Sequence, residues 1–255
     1  MKKPLVLILS GDGINCQNET AWAFNLAGAV SHCVHVNDLL ENPDMLLSYH
    51  GMAFPGGFSF GDELGSGQLL AIKMKNRLKA VLDEAVKRKM PMIGICNGLQ
   101  VLTKLGLLPD WNQERTVAMA HNRQGHFIDQ WVEMKALKSR CIWTQGIEDQ
   151  TVSVPVRHGE GRFTFTPGSE EKVYQQLKDN GQIVFRYNED INGSYDQIAG
   201  ICDPTGMILG LMPHPEAVLY QATLPAKSLS PLDTTWAMKI FENAVTTMTK
   251  QMEKL

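Results

Sequence analysis

A cysteine held between two glycines, where an apolar run meets a helix-forming one, is set up for more than packing. The stretch PMIGICNGLQVL, residues 91–102, places Cys96 there, with Gly94 before it and Gly98 after it. In a strand–turn–helix elbow the glycines permit the sharp bend and the close approach of helix to strand. A helix beginning just after the thiol turns its positive end and unbonded N–H groups toward it, which favours a thiolate nucleophile. The N–H of Asn97 would face the oxyanion formed on any carbonyl that Cys96 attacks. The competing reading is a small buried thiol whose glycines serve packing alone, because G-x-C-x-G is a short pattern.

A thiolate nucleophile needs a base. Of seven histidines, His32 and His35 lie in a strand-like run, and His50, His121 and His126 sit near turns or strand starts. Two stand out. MPHPEA sets His214 between prolines with Glu216 two residues on. In an extended chain such residues point to one side, so the carboxylate could orient the imidazole. RHGEGRF offers His158, with Glu160 between glycines in a loop able to approach a ligand. A third element is PGGFSFGD, residues 55–62. Gly56 and Gly57 let the backbone come close to a substrate, and the Gly57 N–H is a natural second oxyanion donor.

The frame that must position these groups reads as alternating strands and helices. PLVLILS, AVSHCVHV, GMAFPGG and MPMIGIC are strand-like, with helices over 66–89 and 97–105. Six further strand-like runs follow: RTVAMAHN, HFIDQWVEM, TVSVPVRH, GQIVFRYN, DQIAGICDP and MILGLMPH. Asp203-Pro204-Thr205-Gly206 is the turn of a hairpin. A last helix over 234–250 carries Trp236, Ile240, Phe241, Ala244 and Met248 on one stripe. The expected fold is α/β: a doubly wound, mostly parallel sheet flanked by helices, with an antiparallel hairpin portion in the C-terminal half. No linker or repeat interrupts it, so residues 1–255 read as a single domain.

Composition narrows the function. The 255 residues are 44% hydrophobic and 20% charged, with net charge −3, which argues against a nucleic-acid binder. No apolar run approaches a membrane span, and the first one is short for a signal peptide. Five widely spaced cysteines, Cys16, Cys33, Cys96, Cys141 and Cys202, contain no C-x-x-C. They suggest no disulfide framework and no metal site, and fit a reducing cytoplasm. Cys16 reads as a site-rim or interface residue, and Cys33, Cys141 and Cys202 as core.

Taken together, the order GICNGLQ (94–100), then His214-Pro215-Glu216 118 residues after Cys96, resembles a class I, triad-type glutamine amidotransferase. SGDGINCQNET, FPGGFSFGD, LGLLP, HNRQGHFIDQWV, RHGEGRF, DINGSYDQIAG and GLMPHPE make it similar to the glutaminase subunits of phosphoribosylformylglycinamidine synthase over about residues 5–245. The resemblance implies that Cys96 attacks the glutamine amide, His214 is base and then acid, and Glu216 orients His214. It implies an oxyanion hole from Gly57 and Asn97, and substrate binding by Gln100, Gly56, His158 and Glu160. Ammonia would pass to a separate ATP-using synthetase subunit in purine biosynthesis, with a small accessory subunit also admitted. The chain has no P-loop pattern, so no cofactor is expected in it, and ATP and Mg are expected on the partner. Phe60, Ala217 and the stretch Val218 to Pro231 depart from the family pattern. A Cys-dependent hydrolase or amidotransferase of the same fold with another acceptor, and a non-catalytic binding subunit, are the alternatives.

Overall fold

The computed structural model describes residues 2–111, 115–225 and 230–254. Next to the edge of its main sheet lies a strand whose interior residues water does not reach. β1 (Leu5–Ser10) buries Val6, Leu7, Ile8 and Leu9 completely, as a continuous apolar run covered on both faces must. Parallel to it on either side run β2 (Val30–His35) and β3 (Gly51–Phe54). β4 (Met92–Ile95) pairs with β3, and β11 (Ile208–Leu211) pairs with β4, both parallel.

From β11 the sheet changes character. β10 (Ile198–Cys202), β9 (Ile183–Tyr187), β6 (Ile128–Ala136) and β7 (Thr151–His158) continue it, each antiparallel to its neighbour. The full order is β2-β1-β3-β4-β11-β10-β9-β6-β7. A small separate sheet joins β5 (Val117–Ala120) to β8 (Arg162–Phe165). β10 and β11 form the expected hairpin, closed by Gly206 N–H donating to Asp203 O at 3.0 Å.

Helices cover both faces of the parallel part. α1 (Gln17–Leu26) and α6 (Trp236–Met252) lie together, with the rings of Phe24 and Phe241 edge to face at 5.2 Å. α3 (Gln68–Lys87) packs on α4 (Asn97–Leu105). The α6 stripe buries Ile240, Phe241, Ala244 and Met248 as its spacing requires. α2 (Val36–Glu41) and α5 (Glu170–Asp179) complete the helices among the described residues. None of them is long and apolar enough to cross a membrane.

One expectation changes, and three elements are added. Cys33 is exposed, not core, because β2 is the edge strand and Val34 is its one buried residue. α1, α5 and β8 arise where the sequence showed no clear periodicity. In the stretch 218–231, residues 226–229 lie outside the described residues. Either side of them, Tyr220 bridges Thr234 and the Thr235 hydroxyl donates to Val218 O.

Candidate active site

Cys96 sits where β4 ends and α4 begins, with φ 52° and ψ −109°. A positive φ is strained for a residue with a Cβ, and close packing enforces it here. A Cβ on Gly98 would lie 1.8 Å from Phe54 O, and one on Gly94 would lie 2.7 Å from the Gly98 backbone. Only glycine at both places lets helix and strand meet. The Cys96 N–H donates to Leu211 O at 2.8 Å, which ties the elbow to β11.

β11 in turn leads to His214. The imidazole Nδ1 donates to Glu216 Oε1 at 2.6 Å, and both side chains are almost fully buried. The pairing is as expected, but its route is not. The chain is not extended there: Pro215 opens a 3-10 turn over Pro215–Ala217, and that turn folds Glu216 back onto the ring. With Nδ1 engaged, Nε2 is left buried with no partner among protein atoms. Burial pushes the His214 pKa down. The Glu216 carboxylate and the thiols of Cys16 and Cys96 push it up more strongly, and the net is a pKa well above the usual histidine value. Both thiols lie against the imidazole, and each also has an oxygen acceptor within reach. Cys96 Sγ donates to Arg157 O at 3.5 Å, and Cys16 Sγ to Asn15 Oδ1 at 3.2 Å.

Arg157 belongs to β7, at the far edge of the sheet. Pro155 of the same strand accepts the His214 N–H at 3.0 Å. The antiparallel arm therefore curls back until its last strand covers the ends of β4 and β11. It brings His158 to the site. The His158 ring stands over Gly161, where a Cβ would come within 2.4 Å of it. Its Nδ1 faces Asn122 Oδ1 at 3.0 Å. The Asn122 amide nitrogen donates to His158 O and His126 O at 2.7 and 3.0 Å, so its oxygen must be the acceptor and Nδ1 the protonated ring nitrogen. Burial, then the charge of His214, lowers the His158 pKa to about 4. The imidazole is neutral, and its Nε2 is buried without a partner.

Gly56 is the shared neighbour of the reactive groups. A Cβ there would lie 2.8 Å from His214 Cε1, 3.3 Å from Cys16 Sγ and 3.5 Å from Cys96 Cβ. Its carbonyl accepts from Asn15 N and Cys16 N at 3.2 and 3.1 Å. In a planar trans peptide the Gly57 N–H then points the opposite way, away from α1. The Asn97 N–H opens α4, in the turn that has no intrahelical acceptors.

The Asn97 side chain joins two loops. Its nitrogen donates to Asp62 Oδ1 at 3.1 Å and to Gln100 Oε1 at 3.0 Å, while its oxygen accepts from Ser59 N at 3.2 Å. Gln100 then donates to Glu160 O at 2.6 Å. The Glu160 carboxylate does not join the reactive groups, because Ser66 N donates to it at 3.3 Å and His121 stands 3.8 Å away. Asp62, whose pKa is raised by burial against hydrogen bonds from Ser66 and Gly67, and Asn122 were not marked by the sequence. Both act as connectors, and the signal for each was only its place in FSFGD and HNRQGH.

The domain pattern of the CobB/CobQ-like glutamine amidotransferases matches residues 3–247. The chain is 45% identical over 241 residues to the phosphoribosylformylglycinamidine synthase subunit PurQ of Methanococcus maripaludis, covering 89% of this chain and 86% of that one. To PurQ of Dehalococcoides mccartyi it is 38% identical over 254 residues, covering 96% and 98%. Among solved structures, PurLQS from Thermotoga maritima superposes with a TM-score of 0.76 at 27% identity, over 96% of this chain and 99% of that one.

Proposed function

Because the chain belongs to the CobB/CobQ-like glutamine amidotransferases, and among them to the PurQ subunits of phosphoribosylformylglycinamidine synthase, we propose that Cys96 is the nucleophile of its glutaminase reaction. The enzyme is the glutaminase subunit of that synthase and serves purine biosynthesis. The observation that carries the Cys96 reading is the unpartnered Nε2 of His214, buried beside the thiol while Glu216 holds Nδ1.

His214 takes the Cys96 proton, and the sulfur attacks the side-chain amide carbon of glutamine. Charge gathers on the amide oxygen between the N–H groups of Gly57 and Asn97. The tetrahedral adduct collapses as His214 returns the proton to the departing ammonia, leaving a glutamyl thioester. Water, deprotonated by the same imidazole, hydrolyses the thioester to glutamate and frees Cys96. Glu216 keeps the ring in the required tautomer and balances its charge. Gly56, Gln100, His158 and Glu160 are the groups that bind the glutamine, with Glu160 contributing through its backbone, which accepts from Gln100.

Ammonia passes to a synthetase subunit, with a small accessory subunit in the assembly, as the likeness to PurLQS supports. ATP and Mg belong to that partner, and this chain needs no cofactor of its own. Residues 1–255 act as one domain, a reading supported by the sheet that both halves share. The cytoplasm is the matching compartment, supported by five free cysteines. The test is glutamate release from glutamine by the isolated chain, with the synthetase subunit and its nucleotides titrated in. Weak basal turnover and strong stimulation are expected. Turnover that is full alone and unchanged by the partner would overturn the coupling and point to an independent hydrolase.

A further inference from the structure

We propose that the outward apolar residues Phe58, Leu64 and Phe127 form the seat on which the synthetase subunit docks, an inference that rests on the glutaminase reading above. Two loops lie side by side next to the reactive groups. One is the glycine-rich stretch 57–67, which begins at the proposed oxyanion donor Gly57. The other, 158–161, ends β7. At one end of their seam the Phe58 ring packs against the Phe127 ring, with centroids 6.1 Å apart, and Phe127 stands beside Gly159. At the other end Ser66 N donates to Glu160 Oε2 at 3.3 Å. Phe58 and Phe127 leave 45% and 46% of their surfaces in solvent, and Leu64 leaves 79%.

The loop is able to bury an aromatic ring. Phe60, two residues on from Phe58, packs on the core with the Lys73 ammonium over its ring at 5.3 Å. Leu64 does the opposite. It is held at φ 61°, after Asp62 at φ 53°, so a solvent-facing leucine sits on strained backbone that glycine adopts freely. Exposed apolar side chains grouped within a polar rim mark protein interfaces, and Glu63 and His121 supply that rim here. The reaction selects the occupant. Its product is ammonia, which water protonates at neutral pH and so deprives of its nucleophilicity. The subunit that consumes it gains by covering the cleft, and apolar anchors beside the cleft exclude water when covered. The seat also reaches the chemistry. Phe58 is bonded to Gly57, and Ser59 N donates to Asn97 Oδ1 at 3.2 Å, so a partner pressing on Phe58 bears on both oxyanion donors.

The test is titration calorimetry of the full chain with its cognate synthetase subunit, the nucleotides and the accessory subunit being present, beside basal and stimulated glutamate release. Leu64→Ser, Leu64→Gly and Phe127→Ser should each weaken binding at least about tenfold. Each should lose stimulation at a fixed partner concentration and keep its basal turnover. Leu64→Gly should also keep about wild-type stability in urea, because glycine tolerates this backbone. Val30→Ser changes an exposed apolar residue at the opposite end of the parallel strands and should match wild type throughout. Wild-type affinity in the three variants would overturn the seat. Loss of their basal turnover would overturn it too, by placing these side chains in the cleft. Weakened binding of the accessory subunit alone, with affinity for the synthetase intact, would overturn the choice of partner. Cys96→Ala should dock as tightly as wild type. A wild-type chain that docks through these residues and releases no glutamate would support the seat and overturn the glutaminase reading.

Discussion

His214 and Glu216 are separated by one proline, yet imidazole and carboxylate meet at 2.6 Å inside a 3-10 turn that is closed to water. The pairing makes a graded prediction. His214→Ala should lower kcat by about 10²–10⁴-fold, the usual contribution of a general acid–base group. Glu216→Gln should lower it less, because the base stays and only its orientation suffers. Cys96→Ala should abolish thioester formation. His158→Ala should spare the chemistry more than His214→Ala does. Single-turnover measurements of thioester and glutamate would rank the four, and loss of thioester in His158→Ala with its retention in His214→Ala would reverse the assignment of the base.

The two buried histidines respond to pH in opposite directions. The raised pKa of His214 means that its charged pairing with Glu216 stabilises the fold fully below about pH 6.5. That contribution fades as pH rises through the folded-state value. His158, lowered to about 4, contributes above pH ~6.5 and loses its contribution as pH falls toward 4. The shift corresponds to roughly 3 kcal/mol. In His158→Gln, urea midpoints should therefore fall less steeply between pH 6.5 and 4 than in wild type. An acid limb of unchanged slope would mean that His158 is not the group responsible.

Gly98 separates packing from backbone strain. Gly98→Ala sets a methyl 1.8 Å from Phe54 O and should destroy the elbow. Gly106→Ala has open space but a φ of +86°, so it should fold and lose about 1–2 kcal/mol. Circular dichroism with urea titration distinguishes them; equal stabilities would contradict the packing seen at the elbow.

Asp62→Ala removes the acceptor that ties Asn97 to the glycine-rich loop. Displacement of the Asn97 peptide should lower kcat by up to about 10²-fold while stability changes little. A fall in stability with kcat intact would make Asp62 a structural residue alone.

The elbow was legible because its signal is local. Residues 94–98 state the turn, and the helix begins at Asn97 where the glycines require it. Strands with unbroken apolar runs, such as β1, were equally plain. α1 was not, since it buries only Thr20, Ala23 and Phe24 and leaves Trp22 outward, which blurs its stripe. Glu216 was placed beside His214 for the wrong backbone reason. Cys16 was legible as a rim residue of the site, though not its place against His214, and Asn122 could not be read, because its partners His158 and Gly161 are distant in sequence and partly backbone groups. The curl of the antiparallel arm is likewise invisible to periodicity. It shows only in Pro155 and Arg157 reaching His214 and Cys96.

β11 lies between β4 and β10, although it is the last strand among the described residues. During synthesis from the N-terminus Cys96 emerges more than a hundred residues before the strand that fills the gap beside β4. Until Ile208–Leu211 inserts, β4 has an open edge, the antiparallel arm has nothing to join, and His214 is not held beside Cys96. On the proposed roles of Cys96 and His214, a chain that ends before residue 214 lacks the base for the thiol. The strand that completes the parallel sheet and the segment that carries the proposed base are thus one continuous piece of chain, delivered late in synthesis with only α6 still to follow.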